Sequence, residues 1–226
     1  MPGANLNKAQ QTGLLGVNRI AHQELILLPV LKNALKNFVL FEEGKKLYPG
    51  ANNLLEAYES DYSLTFMRIG NFLRLGTEIE AFTRSYYMEK KGLASRAALE
   101  LHFKRLNCPE VVFQRVLPGS NQSLANLYKT ELGIDLKTIP TFKSIQEYFV
   151  HRHLYTHNNG VLDTHYLKRI EKVMGAEERD RIESQALTAA GGRDINEAEV
   201  FCFYPIHKRF TPLIQDIKTF IKSLPS

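Results

Sequence analysis

Most of the chain has apolar residues three and four positions apart, which is the pattern of amphipathic helices. The segment from Leu14 to Phe41 has this spacing and is predicted as two helical pieces, because Pro29 ends or kinks a helix. A second pattern covers residues 54–76, with Gly70 and Gly76 as weak points. The first third of the chain is therefore predicted to be helical.

Residues 77–92 give the clearest helix signal, with Thr77 as a candidate N-cap and Gly92 as the stop. Glu80 and Arg84 are four residues apart and are predicted to pair on the solvent side. The apolar stripe of this helix should be buried, and it comprises Ile79, Phe82 and Tyr86.

Start and stop signals also define the second half of the chain. Helices are predicted over residues 95–106, 120–133 and 142–157, and Asp163 is placed to cap the next one. A charged helix and an amphipathic closing helix follow. The one segment with strand character is VFCFY, residues 200–204. The pattern predicts an all-α fold, a helical bundle.

Length and composition indicate a single folded domain. The chain has 226 residues, of which 44% are hydrophobic and 23% charged. Its two cysteines, Cys108 and Cys202, are too far apart in sequence to form a CxxC pair, which favours a reducing compartment. We divide the predicted domain into an N-terminal helical extension of about residues 1–60, a core of about 61–175, and C-terminal helices of about 176–226.

Targeting signals are not apparent in the sequence. The first residues lack the basic start and long apolar run of a signal peptide. The most apolar stretch, residues 24–41, contains Pro29, Lys32 and Lys36, so it is predicted as a core helix and not as a membrane span. We therefore expect a cytoplasmic protein without a membrane partner.

The net charge of +5 permits an anionic partner but does not identify one. The candidate chemistry lies in YFVHRHLYTHNNGVLDTH, residues 148–165, which holds four of the seven histidines and Arg152. A guanidinium beside imidazoles, which as a class titrate near neutral pH, suits phosphate chemistry. The segment from 141 to 170 also has four Lys or Arg against two acids, which are Lys143, Arg152, Lys168 and Arg169 against Glu147 and Asp163.

A metal site is an alternative interpretation of the same histidines. His153 and His157 are four residues apart and lie on one helical face, as zinc ligands often do. No glutamate between or soon after them could act as a base, and the third ligand would have to be His165 or Asp163. We therefore expect no metal and no other cofactor, and a metal-dependent hydrolase stays an open alternative.

Helix geometry limits what one copy of this segment could do. Arg152 and His157 are five residues apart, which is roughly 140° around an ideal helix, so they point away from each other. A second copy packed about a two-fold axis would bring two histidines and two arginines into one cleft. The spacing therefore favours a homodimer with a composite site.

Residues 152–167, RHLYTHNNGVLDTHYL, resemble the signature of the HEPN superfamily of all-helical, nucleic-acid-associated domains. That motif is an Arg, a polar residue and, four to six residues from the Arg, a His, and Arg152, His153 and His157 match it. The segment from Asn158 to Leu167 resembles the continuation seen in stand-alone bacterial members. TEIEAFTRSYY resembles the family helix that carries an acid near the motif, which makes Glu80 a candidate supporting residue.

The resemblance implies a bundle of the HEPN type and a metal-independent endoribonuclease, a hydrolase acting on single-stranded RNA through attack by the ribose 2′-hydroxyl. His157 would be the general base or acid, Arg152 would hold the phosphate, and His153 would orient His157 or the substrate. Asn158, Tyr155 and Lys143 would contact the substrate, Tyr155 by stacking on a base.

The same resemblance implies a toxin or antiviral defence role with an antitoxin or other regulatory partner, since an unrestrained ribonuclease harms its host. The alternative is a non-catalytic HEPN-like module that binds RNA or nucleotides or only dimerises.

Overall fold

The structure is a computed structural model that describes residues 5–35, 62–117, 122–158, 162–189 and 206–226. Its α-helices are α1 (Lys8–His22), α2 (Leu28–Leu35), α3 (Tyr62–Lys90), α4 (Arg96–Leu106), α5 (Leu124–Leu132), α6 (Phe142–Asn158), α7 (Thr164–Met174), α8 (Ala176–Ala189) and α9 (Ile206–Ser223). The described residues include no strand, and the all-α prediction is confirmed. The predicted strand at 200–204 lies outside the described residues.

The predicted break at Pro29 takes the form of a π-helical turn between α1 and α2. This turn covers Gln23–Leu27, and the amide of Leu28 donates to the carbonyl of Gln23, five residues back. A proline has no N–H, and its ring collides with the carbonyl four residues earlier, so a wider turn ahead of Pro29 relieves both problems. The two predicted pieces are thus one helix with a local defect.

Helix α3 corrects the predicted boundary at Thr77. It runs unbroken from Tyr62 to Lys90, so Thr77 lies in its interior and caps nothing. Gly76, a predicted weak point, is helical, and another side chain packs against its bare Cα, as described below. The predicted stop at Gly92 is confirmed, since this glycine has a φ of 65°.

Local capping explains the helix ends in the second half of the chain. Ser95 caps α4, and Asn107 ends it in the left-handed conformation. Gly133 ends α5 in the same way. The predicted cap at Asp163 is confirmed, because its carboxylate accepts a hydrogen bond of 2.6 Å from the amide of Tyr166.

Helix α6 is buried on two sides and separates two apolar clusters. The larger cluster joins α6 to α1, α3 and α9, and it includes Ile20, Phe72, Tyr148 and Phe220. The smaller one joins α6 to α7 and α8, and its members are Val150, Leu154, Leu162, Tyr166, Leu167, Ile170 and Ile182. Helix α1, part of the predicted N-terminal extension, therefore belongs to the main core.

Gln10 ties α1 to the end of α9. It is 1% exposed, and its amide nitrogen donates to the carbonyls of Ile221 at 2.9 Å and Leu224 at 2.8 Å. Its side-chain oxygen accepts from the amide of Asn7 at 3.0 Å. One buried side chain thus satisfies three backbone groups that would otherwise have no partner there.

We predict that Gln10→Ala lowers the free energy of unfolding by about 1 to 3 kcal/mol, because buried carbonyls would lose their donors. Urea denaturation measures this loss. The matched control is Gln11→Ala on the same helix, whose exposed side chain donates to the carbonyl of Leu6. Equal effects of the two substitutions would contradict the role given to Gln10.

Candidate functional site

The polar residues near the end of α6 point in different directions. Arg152 turns toward α3, His151 turns toward α7, and His153 and His157 lie side by side at the edge between α6 and α7. This divergence follows from the helix period of 3.6 residues, which places consecutive residues about 100° apart. The histidine-rich segment therefore has several separate roles.

Arg152 is held between α6 and α3. Its Nη1 atom lies 2.5 Å from Oε1 of Glu80, and its Cζ atom lies 5.5 Å from the centroid of the Phe149 ring. The side chains of Arg152 and Glu80 are 24% and 10% exposed. The carboxylate and the ring fix the guanidinium while leaving part of it accessible to solvent.

Gly76 makes this position of Arg152 possible. A Cβ atom on Gly76 would lie 2.5 Å from both Cδ and Nε of Arg152 and 2.8 Å from the hydroxyl of Tyr148. That hydroxyl donates to the carbonyl of Phe72, so it has little freedom to move. The glycine is thus required for close approach and not for an unusual backbone conformation.

The predicted ion pair between Glu80 and Arg84 is wrong. Glu80 pairs with Arg152, and Nε of Arg84 lies 3.3 Å from Oε1 of Glu110. Glu80 is buried. An exposed ion pair at i and i+4 on a helix stabilises by only about 0.3 to 0.5 kcal/mol, so local spacing does not decide the partner of this carboxylate. A charge at a buried position takes the partner that tertiary packing supplies.

His153 and His157 form a close imidazole pair. Their ring centroids are 4.3 Å apart with the planes at 44°, and His157 is exposed while His153 is half-buried. Burial, followed by the nearby charges of Arg169, His157 and His165, lowers the pKa of His153 to about 4, against a smaller opposing effect of Asp163. At neutral pH His153 is therefore a neutral hydrogen-bonding group next to His157.

His151 has a structural position that the sequence analysis did not assign. It is 1% exposed, its Nδ1 lies 2.8 Å from the hydroxyl of Tyr166, and its Nε2 lies 3.5 Å from Oε1 of Glu147. Its burial could have been predicted from the i, i+4 spacing to Glu147, because both residues lie on the helix face that carries the apolar residues Val150 and Leu154. His151 fixes α7 against α6.

The remaining predicted residues are not gathered at this site. Tyr155 is 8% exposed and packs edge-on against Phe72 with centroids 5.7 Å apart, so its ring belongs to the core. Lys143 is exposed in the first turn of α6, 14 residues before His157, which is roughly 21 Å along the axis. Asn158 ends α6, and its side chain lies outside the described part of the structure.

Within the described ranges, no group of three His, Cys, Asp or Glu side chains is arranged to hold a metal ion. Asp163, the ligand considered with His153 and His157, is the N-cap of α7. None of the described helices is both long enough and apolar enough to cross a membrane.

No known protein family, curated protein or solved structure matches this chain. The resemblance to HEPN domains therefore depends on the motif residues themselves.

We predict that Gly76→Ala displaces Arg152 from Glu80 and lowers the free energy of unfolding by about 1 to 3 kcal/mol, because the added methyl overlaps the arginine stem. Thermal or urea denaturation measures the change. Gly70→Ala is the matched control on the same helix, since within the described residues its added methyl would meet no side chain and no other element within 4 Å. That control should stabilise by about 0.5 to 1 kcal/mol, and a similar gain for Gly76→Ala would refute the close approach.

We also predict a specific pH dependence from His153. Since its pKa in the folded state is below that of the unfolded chain, unfolded molecules bind the extra proton, and stability falls as pH drops from about 6.5 to about 4. Over this pH range the free energy of unfolding of the wild type should fall by about 1 to 2 kcal/mol relative to that of His153→Asn. This is less than the whole pKa shift would give, because the ring is partly exposed to solvent. Urea denaturation at several pH values measures it, and a constant difference between the two proteins would contradict the lowered pKa.

Proposed function

We propose that the protein is a metal-independent endoribonuclease of the HEPN type that cleaves single-stranded RNA as a homodimer. The observation that carries the proposal is the imidazole pair of His153 and His157 near the end of α6, in the same segment as Arg152, an arginine held by Glu80. Two turns of one helix thus hold an exposed imidazole for proton transfer (His157), a neutral imidazole beside it (His153) and a fixed guanidinium (Arg152). The motif resemblance supplies the reaction class.

In the proposed reaction, His157 removes the proton from a ribose 2′-hydroxyl, and that oxygen attacks the adjacent phosphorus. The bond from phosphorus to the 5′-oxygen breaks, leaving a 2′,3′-cyclic phosphate and a 5′-hydroxyl. The leaving oxygen takes its proton from a second imidazole, and His157 of the second copy would provide it. No oxidant and no metal ion is needed.

The neighbouring residues would assist this step. Neutral His153 can orient His157 or the ribose without adding a second positive charge beside it. The guanidinium of Arg152 can donate several hydrogen bonds to phosphate oxygens and stabilise the charge that grows on them in the transition state. Glu80 would prevent the guanidinium from rotating away.

The contacts of Arg152 support a composite site. Within the described residues, Arg152 contacts α3 and Phe149, whereas the two histidines contact each other at the edge facing α7. The arginine and the histidines of one copy therefore serve different sides of α6. In our proposal a second α6, related by a two-fold axis, brings the arginine of one copy to the histidines of the other.

A ribonuclease of this kind needs control, and we propose a toxin or anti-phage role with an antitoxin or other regulatory partner. The second candidate is a non-catalytic HEPN-like module that binds RNA or nucleotides or only dimerises. It is favoured by the ion pair with Glu80, since an arginine already neutralised by a carboxylate can have a purely structural role.

We predict that the purified protein cleaves single-stranded RNA in excess EDTA, that the products carry cyclic phosphate ends, and that DNA is not cut. His157→Ala should lower the rate by about 10² to 10⁴-fold, because the proton-transfer group is lost. End-labelled RNA on a denaturing gel measures the cleavage rate and identifies the product ends. His22→Ala, which removes an exposed histidine from α1, is the matched control and should retain full activity.

Cleavage that disappears with EDTA and returns with a divalent cation would reject the metal-independent mechanism. A folded dimer that binds RNA but leaves it uncut would instead support the non-catalytic module.

A further inference from the structure

Two side chains of α7 lie next to the imidazole pair. His165 and Arg169 are four residues apart, so they share one flank of α7. The hydrogen bond between His151 and Tyr166, together with the apolar cluster around Leu154, fixes this flank beside the end of α6. The same placement agrees with the lowered pKa of His153, to which the nearby charges of Arg169 and His165 contribute.

The ionisable side chains of this corner are mostly basic. His153, His157, His165 and Arg169 meet there, and Asp163 is the one carboxylate that acts on His153. The carboxylate of Asp163 is committed to the amide of Tyr166 as the cap of α7. The corner thus has one guanidinium and several imidazoles against one engaged carboxylate.

Arg169 has no ion-pair partner among the residues that the structure describes. It is half-buried, and no carboxylate in the described part of the chain lies within ion-pair distance of it. A guanidinium that is partly removed from water is normally paired, because desolvation without a counter-charge is unfavourable. An external anion would supply the missing partner.

We propose that Arg169 and His165, beside His153 and His157, form a phosphate-binding subsite. The planar guanidinium can bind two phosphate oxygens at once, and the imidazoles can donate to the others. Our identification of the ligand as a backbone phosphate of RNA rests on the proposed function. The preference for an anion rests only on the arrangement of these side chains.

The subsite assigns substrate positioning to a different helix from the one that carries the motif. Arg152 faces α3, and Lys143 is at the opposite end of α6, so neither cation reaches the same flank as the two histidines. Arg169 is on that flank. It would hold the RNA backbone while His157 acts on the neighbouring ribose.

Inorganic phosphate provides the first test, with the imidazoles followed by NMR on the full chain. A bound phosphate should raise the pKa of His153 by about one unit, because it adds negative charge beside the ring. Sodium chloride at the same ionic strength should not do so. In Arg169→Gln the pKa should start higher, since a nearby cation is gone, and should not respond to phosphate.

Lys168→Gln is the matched control. It removes the same charge from the next position on α7, where the side chain is exposed on the solvent side. Its response to phosphate should equal that of the wild type, and thermal melting confirms that each variant is folded. No phosphate-specific shift in the wild type, or an equal loss in both variants, would overturn the subsite.

RNA binding distinguishes the source of the phosphate. In a His157→Ala background, which removes cleavage, Arg169→Gln should raise the Kd for labelled single-stranded RNA about tenfold, and Lys168→Gln less than about twofold. A phosphate response without this difference would mean that the subsite holds free phosphate and would reject RNA as its ligand. Binding of RNA through Arg169 without any cleavage by the wild type would retain the subsite and reject the ribonuclease.

Discussion

The ion pair between Arg152 and Glu80, formed over the bare Cα of Gly76, is the constraint on which the site depends. It connects α6 to α3 at the level where the candidate chemistry begins. Because the guanidinium is fixed on the side of α6 that faces α3, the helical period places His153 and His157 on a different side of α6. The same pair explains why a glycine occupies position 76 in the interior of α3, since a Cβ atom there would overlap the arginine stem.

The surroundings of α6 give its four polar residues different properties. His151 is buried with Tyr166 and connects helices, whereas His157 is exposed beside a neutral His153. A cluster that looks uniform in sequence thus contains one structural group, one exposed imidazole and one neighbour that does not compete for its proton. This separation of properties by environment is how a protein obtains acid and base groups from a single residue type.

Local signals in the sequence predicted much of the fold. Stops at Gly92 and Gly133 and the cap at Asp163 depend on neighbouring residues only, so they could be read directly. The partner of Glu80 could not be predicted in this way, because the nearest arginine in sequence is Arg84 and the actual partner is 72 residues away. In the sequence Arg169 is one of several charges, and no local pattern indicates which partner a side chain has in the fold.

The central claim is that Arg152 of one copy and His157 of another act in the same cleft. It is tested most directly by mixing subunits that carry Arg152→Ala with subunits that carry His157→Ala and measuring RNA cleavage. Each variant alone should be inactive. The mixture should recover part of the wild-type rate, because a mixed dimer holds one Arg152 and one His157 in the shared cleft and water can protonate the leaving oxygen in place of the missing second imidazole. A mixture that exchanges subunits and stays inactive would contradict the composite site.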